Sequence, residues 1–162
     1  ITSSIQRIEN NAFLGICDLT ISGDIQYIPE NSFNNCTSLQ KIRFDTSNLC
    51  SINSNAFFGC TSLYSAIFNS NELNTIGASA FEGCSSLKEI TIQSTIQIIQ
   101  NNAFKKCSSL TQISFQSSIT SIEDSTFEDC SSLKEIEIPS SVQSINNSAF
   151  KGCTSLTKIM LS

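Results

Sequence analysis

One short pattern recurs seven times along the chain, and a repeat this short has no room for a core of its own. The copies align on phenylalanine: Phe13, Phe33, Phe57, Phe81, Phe104, Phe127 and Phe150. The last four lie 23 residues apart, the two preceding steps are 24, and the first is 20. Such a period marks a solenoid, in which each coil buries its apolar face against its neighbours. One repeat carries about six large apolar side chains, each gaining roughly 1.5–3 kcal/mol on full burial. Fixing about 23 backbone residues costs roughly 1–2 kcal/mol apiece. A single coil cannot stand alone, so stacking must supply the remaining burial and the hydrogen bonds between coils.

The apolar slots are nearly invariant. Eight residues before each Phe stands an aliphatic: Ile5, Ile25, Leu49, Leu73, Ile96, Ile119 or Val142. Five before it stands isoleucine: Ile8, Ile28, Ile52, Ile76, Ile99, Ile122 and Ile145. Three after it come Cys36, Cys60, Cys84, Cys107, Cys130 and Cys153, and six after it Leu39, Leu63, Leu87, Leu110, Leu133 and Leu156. The Leu opens a segment reading L-x-x-I-x-I, as in Leu87-Ile90-Ile92 and Leu133-Ile136-Ile138. Its alternation and β-branched content predict a strand with one buried face. Stacked strands would be parallel and about 4.8 Å apart, turning each slot into a column. Ala66 stands where isoleucine is expected and predicts a local thinning of the core. The first copy is three residues short after Phe13, which places Ile16 in the Leu slot and Cys17 outside the cysteine column.

Two polar positions also repeat. Two residues before each Phe is Asn or Ser, from Asn11 to Ser148, a pattern of helix N-caps. It predicts one short helical or 3₁₀ turn at A-F-x-x-C. After each column cysteine comes a hydroxyl pair such as Ser85-Ser86 or Thr154-Ser155. These hydroxyls either bond backbone groups at a bend, forming a ladder, or remain solvated.

The full repeat, L-x-x-I-x-I-P-S-S-V-x-x-I-x-x-x-A-F-x-x-C-x-S, closely resembles the BspA-like, or treponemal-type, leucine-rich repeat. Leu133 to Ser155 matches it slot for slot, Pro139-Ser140-Ser141-Val142 included. The short first copy and the loss of proline from most repeats are departures. The resemblance implies a β-rich leucine-rich-repeat solenoid over residues 1–162. It would be right-handed, with a parallel strand ladder on its concave side and a second, sparse ladder through the Val142/Ile145-type slots. Members are mostly surface proteins of mucosal bacteria and parasitic protists, associated with adhesion to host cells and extracellular-matrix proteins. The resemblance thus implies a cell-surface or secreted location and a protein ligand. An intracellular scaffold and a passive surface spacer are the rival readings. The motif itself is structural and carries no binding residues across.

Composition narrows the chemistry. Lys and Arg number 9 against 14 Asp and Glu, a formal charge of −5, so no basic footprint for nucleic acid is present. Nothing in the sequence points to membrane insertion. There is no His, the usual general base and zinc ligand, and no Gly-rich phosphate loop. No cofactor or metal is expected. Glu135 and Glu137 share a strand face, but a solvated pair explains them better than acid–base catalysis. The chain reads as a non-enzyme. The absence of an initiator Met and a final residue inside the seventh strand read as an excised part of a longer array.

Of eight cysteines, six recur in an apolar slot that suits a small buried hydrophobe. Parallel side chains on adjacent rungs give poor disulfide torsions, so free thiols are expected. Cys17 and Cys50 lie off the column. The triplets at Asn35 and Asn146 fit a glycosylation pattern, but a chain so rich in Asn, Ser and Thr contains them by chance.

Solenoids bind along the extended surface of the strand ladder. The residues expected to line it are Lys41, Arg43, Ile67, Glu89, Thr91, Gln112, Ser114, Glu135 and Glu137. Their charge runs from basic near Arg43 to acidic near Glu137. Aromatic anchors, common at interface hot spots, are missing from these positions. The core column is expected to comprise Phe33, Phe57, Phe81, Phe104, Phe127 and Phe150 with the six cysteines. Phe58 reads as outward-facing, either an anchor or an incidental exposed apolar residue.

Overall fold

The structure, a computed structural model, describes residues 13, 15–91, 95–113 and 118–161. The readings made above for Ile5, Ile8, Asn11, Ile92 and Ser114 lie outside these residues. Most coils contribute a longer strand and then a two-residue strand among the described residues. In chain order these are β1 (Asp18–Ser22), β2 (Tyr27–Ile28), β3 (Lys41–Asp45), β4 (Ser51–Ile52), β5 (Ser65–Phe68) and β6 (Thr75–Ile76). They continue as β7 (Glu89–Thr91), β8 (Ile98–Ile99), β9 (Ser121–Ile122), β10 (Glu135–Ile138), β11 (Ser144–Ile145) and β12 (Lys158–Leu161). The longer strands pair in parallel as β1-β3-β5-β7 and as β10-β12. The short strands form the second ladder, β2-β4-β6-β8 and β9-β11, through the predicted isoleucine slots.

Alternation fixes the register. In β3 the burial runs exposed, buried, exposed, buried, exposed, so Ile42 and Phe44 face inward and Lys41, Arg43 and Asp45 outward. Ala66 is buried in register between Ile42 and Ile90. The phenylalanine column forms one continuous stack from Phe13 to Phe150, with centroids 5.0–5.7 Å apart and planes within 16°. Phe44 and Phe68 form a second stack at 5.5 Å and meet the first edge-on. Offset stacks and edge contacts suit the ring quadrupole and add to the gain from burial. Phe150 and Cys153, in the last described coil, are only half-buried, because a single neighbour covers them.

The A-F-x-x-C segments depart from the expected helical turn; no helix occurs among the described residues. The N–H groups of Asn31, Phe33 and Asn35 donate to the carbonyls of Ser54, Ala56 and Phe58 in the next coil, at 3.2, 2.8 and 2.7 Å. The alternate N–H groups, of Ser32, Asn34 and Cys36, close turns onto Pro29, Asn31 and Phe33. Half the amides thus leave the segment, and a helix would need nearly all of them. The Asn/Ser column is correspondingly not an N-cap. Asn31, Asn55, Ser79, Asn102, Ser125 and Ser148 are all left-handed, with φ of 54–59°, whereas N-caps take extended backbone.

The column cysteines are free. Each thiol from Cys60 to Cys153 donates to the phenylalanine carbonyl of the preceding coil, as Cys60 Sγ does to Phe33 O at 2.9 Å and Cys107 Sγ to Phe81 O at 3.2 Å. Cysteine therefore fills a small apolar slot and also supplies a weak donor that alanine lacks. Burial pushes the Cys84, Cys107 and Cys130 thiols well up, and Cys36 to about 11 with help from Cys60. Cys17 and Cys50 are likewise unpaired.

The short ladder lapses at one step. Among the described residues no strand occupies 111–113, and β8 does not pair with β9. Gly77, Gln100 and Asn146 each donate a backbone N–H to the isoleucine carbonyl of the coil before, but no bond joins Glu123 N to Ile99 O. The turn ladder carries the stack across this step: Asn102, Phe104 and Lys106 donate to Asp124, Thr126 and Glu128.

Candidate functional site

The long-strand face brings together most of the residues expected there. Arg43, Ile67 and Thr91 occupy successive positions in register on β3, β5 and β7, and Lys41, Ser65 and Glu89 form the neighbouring column. Of the Glu89 and Thr91 side chains nothing further is described. Glu135 and Glu137 are exposed on β10, beside Lys158 and Met160 of β12. Gln112 is exposed and lies outside the described strands.

Charges on this face are partly committed to one another. Arg43 Nε lies 2.7 Å from Asp45 Oδ1, which also accepts from Asn69 Nδ2 at 2.6 Å. These two donors, Arg43 first, hold the Asp45 carboxyl below its ordinary range. Lys158 Nζ approaches Glu135 Oε2 at 4.0 Å. Both pairs are well exposed and add little stability. Their effect is to fix the rotamers that a partner would meet.

Two columns escaped the sequence reading. The residue after each core Phe runs Asn34, Phe58, Glu82, Lys105, Glu128, Lys151. Glu128 is 7% exposed and bridges Lys105 at 2.8 Å and Lys151 at 2.9 Å. These two ammoniums, with the Ser125 hydroxyl, hold its carboxyl down to about 2. Phe58 sits in this column half-buried, not outward as expected. Alternating charge at the repeat period was the available signal.

The second column leads into the strands: Gln40, Tyr64, Lys88, Thr111, Lys134, Thr157. Lys41 Nζ sits 5.6 Å from the Tyr64 ring centroid. The Tyr64 hydroxyl, with Asp18 adding, raises the Lys41 ammonium above its ordinary value. Beside this contact runs a shallow groove of about 330 Å³, lined by Gln40, Ser62, Tyr64, Ser86, Lys88 and Ser109. The hydroxyl pairs behave as a partial ladder. The first members donate to the coil before, Ser85 to Thr61 O, Ser108 to Ser85 O and Ser131 to Ser108 O, at 3.3–3.4 Å.

Among the described residues no cluster of three or more His, Cys, Asp or Glu could hold a metal ion, and no helix is long and apolar enough to cross a membrane.

Comparison with known proteins places these features. The model of the BspA type leucine rich repeat region matches residues 1–110 and 50–162, in 6 copies. The chain superposes on a leucine-rich repeat protein of T. pallidum with a TM-score of 0.81 at 26% identity, covering 87% of this chain and 68% of that one. A leucine rich cell surface protein of Faecalibacterium prausnitzii aligns with a TM-score of 0.71 at 26% identity over 89% of this chain. A leucine-rich repeat protein of Bacteroides ovatus aligns with a TM-score of 0.64 at 24% identity over 91% of this chain, a likeness of fold alone. The chain spans 47% and 46% of these last two proteins. No curated protein sequence matches it significantly.

Proposed function

The chain belongs to the BspA type leucine-rich repeat family, and from that premise we propose that it is a non-catalytic protein-binding module of a cell-surface protein. Its ligands are proteins of a host cell or extracellular matrix. The observation that carries this reading is the long-strand face. Its outward positions are held in register across four strands by backbone pairing. A rigid, extended, partly charged surface of this kind suits protein recognition, with steering by charge and many modest contacts. The surface location is supported by the Faecalibacterium prausnitzii relative, itself a cell surface protein.

Antibody labelling of intact and permeabilised source cells tests the location. Labelling of intact cells supports it, and labelling only after permeabilisation replaces it with an intracellular scaffold. The binding face is tested by the double variant Arg43→Ala/Glu137→Ala against an immobilised panel of matrix proteins. Loss of about tenfold in affinity, the scale of one good charged contact at an interface, is expected for any protein bound by the wild type. Unchanged binding moves the site off the long-strand face.

A further inference from the structure

We propose that the groove beside Tyr64 is a binding site for an acidic glycan, one carrying carboxylate or sulfate groups. It lies at the flank where the chain enters the long strands, and it is a different site from the protein-binding face.

Three observations carry this inference. First, the second members of the hydroxyl pairs do not join the ladder that the first members build. Among the described residues, Ser62, Ser86 and Ser109 make no side-chain hydrogen bond, and all three line the groove. Three consecutive coils thus offer one uncommitted hydroxyl each, about 4.8 Å apart. Second, the remaining lining is an amide, a phenol ring and an ammonium, from Gln40, Tyr64 and Lys88. Sugars are held by this combination: a ring under the apolar C–H face, with hydroxyls and amides around the edge. Lys88 has no ion-pair partner among the described residues, and Lys41 stands over the tyrosine ring. An ammonium that lines the groove without an ion-pair partner, in a chain with formal charge −5, favours a ligand that brings its own negative charge. Third, the spacing selects the polymer. An extended peptide presents same-side groups every two residues, about 6.7 Å, and falls out of step with the coils. A chain of pyranose rings carries hydroxyl and anionic groups on both edges of every sugar, so each coil meets a group even where alternate rings are turned over.

The groove is shallow, so affinity grows with the number of sugars engaged. Asp18 near Lys41 limits the charge attraction and sets a preference for few, well-placed anionic groups.

The test is titration of the whole chain with a heparin-derived octasaccharide and a hyaluronan octasaccharide, with a neutral cello-oligosaccharide as comparator. Binding of at least one acidic oligosaccharide is expected, weakening as salt rises toward about 0.15 M and beyond. Lys88→Ala and Ser86→Ala should each weaken it, Lys88→Ala by about tenfold. Tyr64→Phe should retain most of it, because the ring remains, and Glu137→Ala on the long-strand face should leave it intact. Both Lys88→Ala and Ser86→Ala are exposed or half-exposed changes, and an unaltered circular-dichroism spectrum shows that the fold survives. No binding of either acidic oligosaccharide, equal binding of the neutral one, or full binding by Lys88→Ala and Ser86→Ala would each overturn the proposal. None of these results bears on a protein ligand of the long-strand face.

Discussion

Single positions in this chain are constrained by backbone handedness as much as by burial. The residue before each column cysteine is left-handed throughout: Asn35, Gly59, Gly83, Lys106, Asp129 and Gly152. Glycine fits without strain, and an L side chain there costs roughly 1–2 kcal/mol. A Cβ on Gly59 would also press on Asn35 Oδ1, the end of a side chain that would have to move aside. Gly59→Ala should therefore lower stability by about 1–2 kcal/mol or more. Lys106→Gly, at φ 60°, should raise it by up to about 1 kcal/mol, the relief of strain outweighing the entropy that glycine adds to the unfolded chain. Urea midpoints check both, and a stabilising Gly59→Ala would refute the argument. Glu128 gives a second prediction. Its carboxyl is held at about 2 against an ordinary 4.5. A depressed acid stabilises the folded state above its unfolded value and ceases to do so as pH falls through its folded one. Wild type should exceed Glu128→Gln in stability above pH 4.5, with the difference vanishing as pH falls to about 2. A difference independent of pH would show that the two lysines do not act through this charge. The charge column was present in the sequence at Glu82, Lys105, Glu128 and Lys151, but it shows only when the residue beside the invariant Phe is read down the repeats.

At the scale of the element, the two kinds of strand differ in how far pattern alone reveals them. Apolar residues at alternate positions, Ile42 and Phe44, Ala66 and Phe68, and Ile136 and Ile138, announce β3, β5 and β10 because alternation at period two is a direct imprint of one buried face. The two-residue strands carry only one inward isoleucine each, and the repeat of that isoleucine down the chain was what exposed them. The turns were misread for a physical reason. Asn and Ser are favoured both at N-caps and in the left-handed region, so composition at Asn31 or Asn55 does not separate the two. What separates them is the destination of the next amides, and bonds to the neighbouring coil at Ala56 or Ala80 are not local information. The groove was hidden likewise: Tyr64 and Lys88 fall one residue before the strands, outside the set of positions that the strand pattern selects. The lapse between β8 and β9 yields an element-scale prediction. The amides of Gly77, Gln100 and Asn146 are bonded to the preceding coil, and that of Glu123 is not. Native-state hydrogen exchange should protect the first three and leave Glu123 markedly faster. Equal protection at Glu123 would mean that the short ladder runs unbroken in solution.

For the molecule as a whole, stability in a stack is a sum of coil terms and nearest-neighbour interfaces, so one weak interface divides it. Among the described residues, three steps are joined three times, by the long ladder, the short ladder and the turn bonds with their phenylalanine stack. Between the Phe104 and Phe127 coils the short ladder is missing, and the step is crossed by the turn bonds, the Lys134 N–H bond to Thr111 O, the Lys105–Glu128 ion pair and the stacked Phe104 and Phe127 rings, 5.7 Å apart. Phe57 and Phe104 are both fully buried in the same column, and truncating either to alanine should cost about 3–5 kcal/mol. The consequences should differ in kind. Around Phe57 both ladders still bind the coils, so Phe57→Ala should lower the midpoint of a single transition and keep its denaturant slope. Phe104→Ala removes a ring from the stack that crosses the step lacking the short ladder. The coils before the weak step and those after it should then unfold apart, as two transitions or as one with a reduced slope. Matching slopes in the two variants would show that the step is no weaker than its neighbours. An unchanged midpoint in Phe104→Ala would instead contradict its place in the core. A stack divided in this way also has a functional consequence. Arg43 and Ile67 lie on the four-stranded side and Glu135 and Glu137 on the two-stranded side, so a ligand touching both must hold the weak step closed. Such a ligand should raise the midpoint of Phe104→Ala more than that of Phe57→Ala, because only the first gains an interface that it had lost.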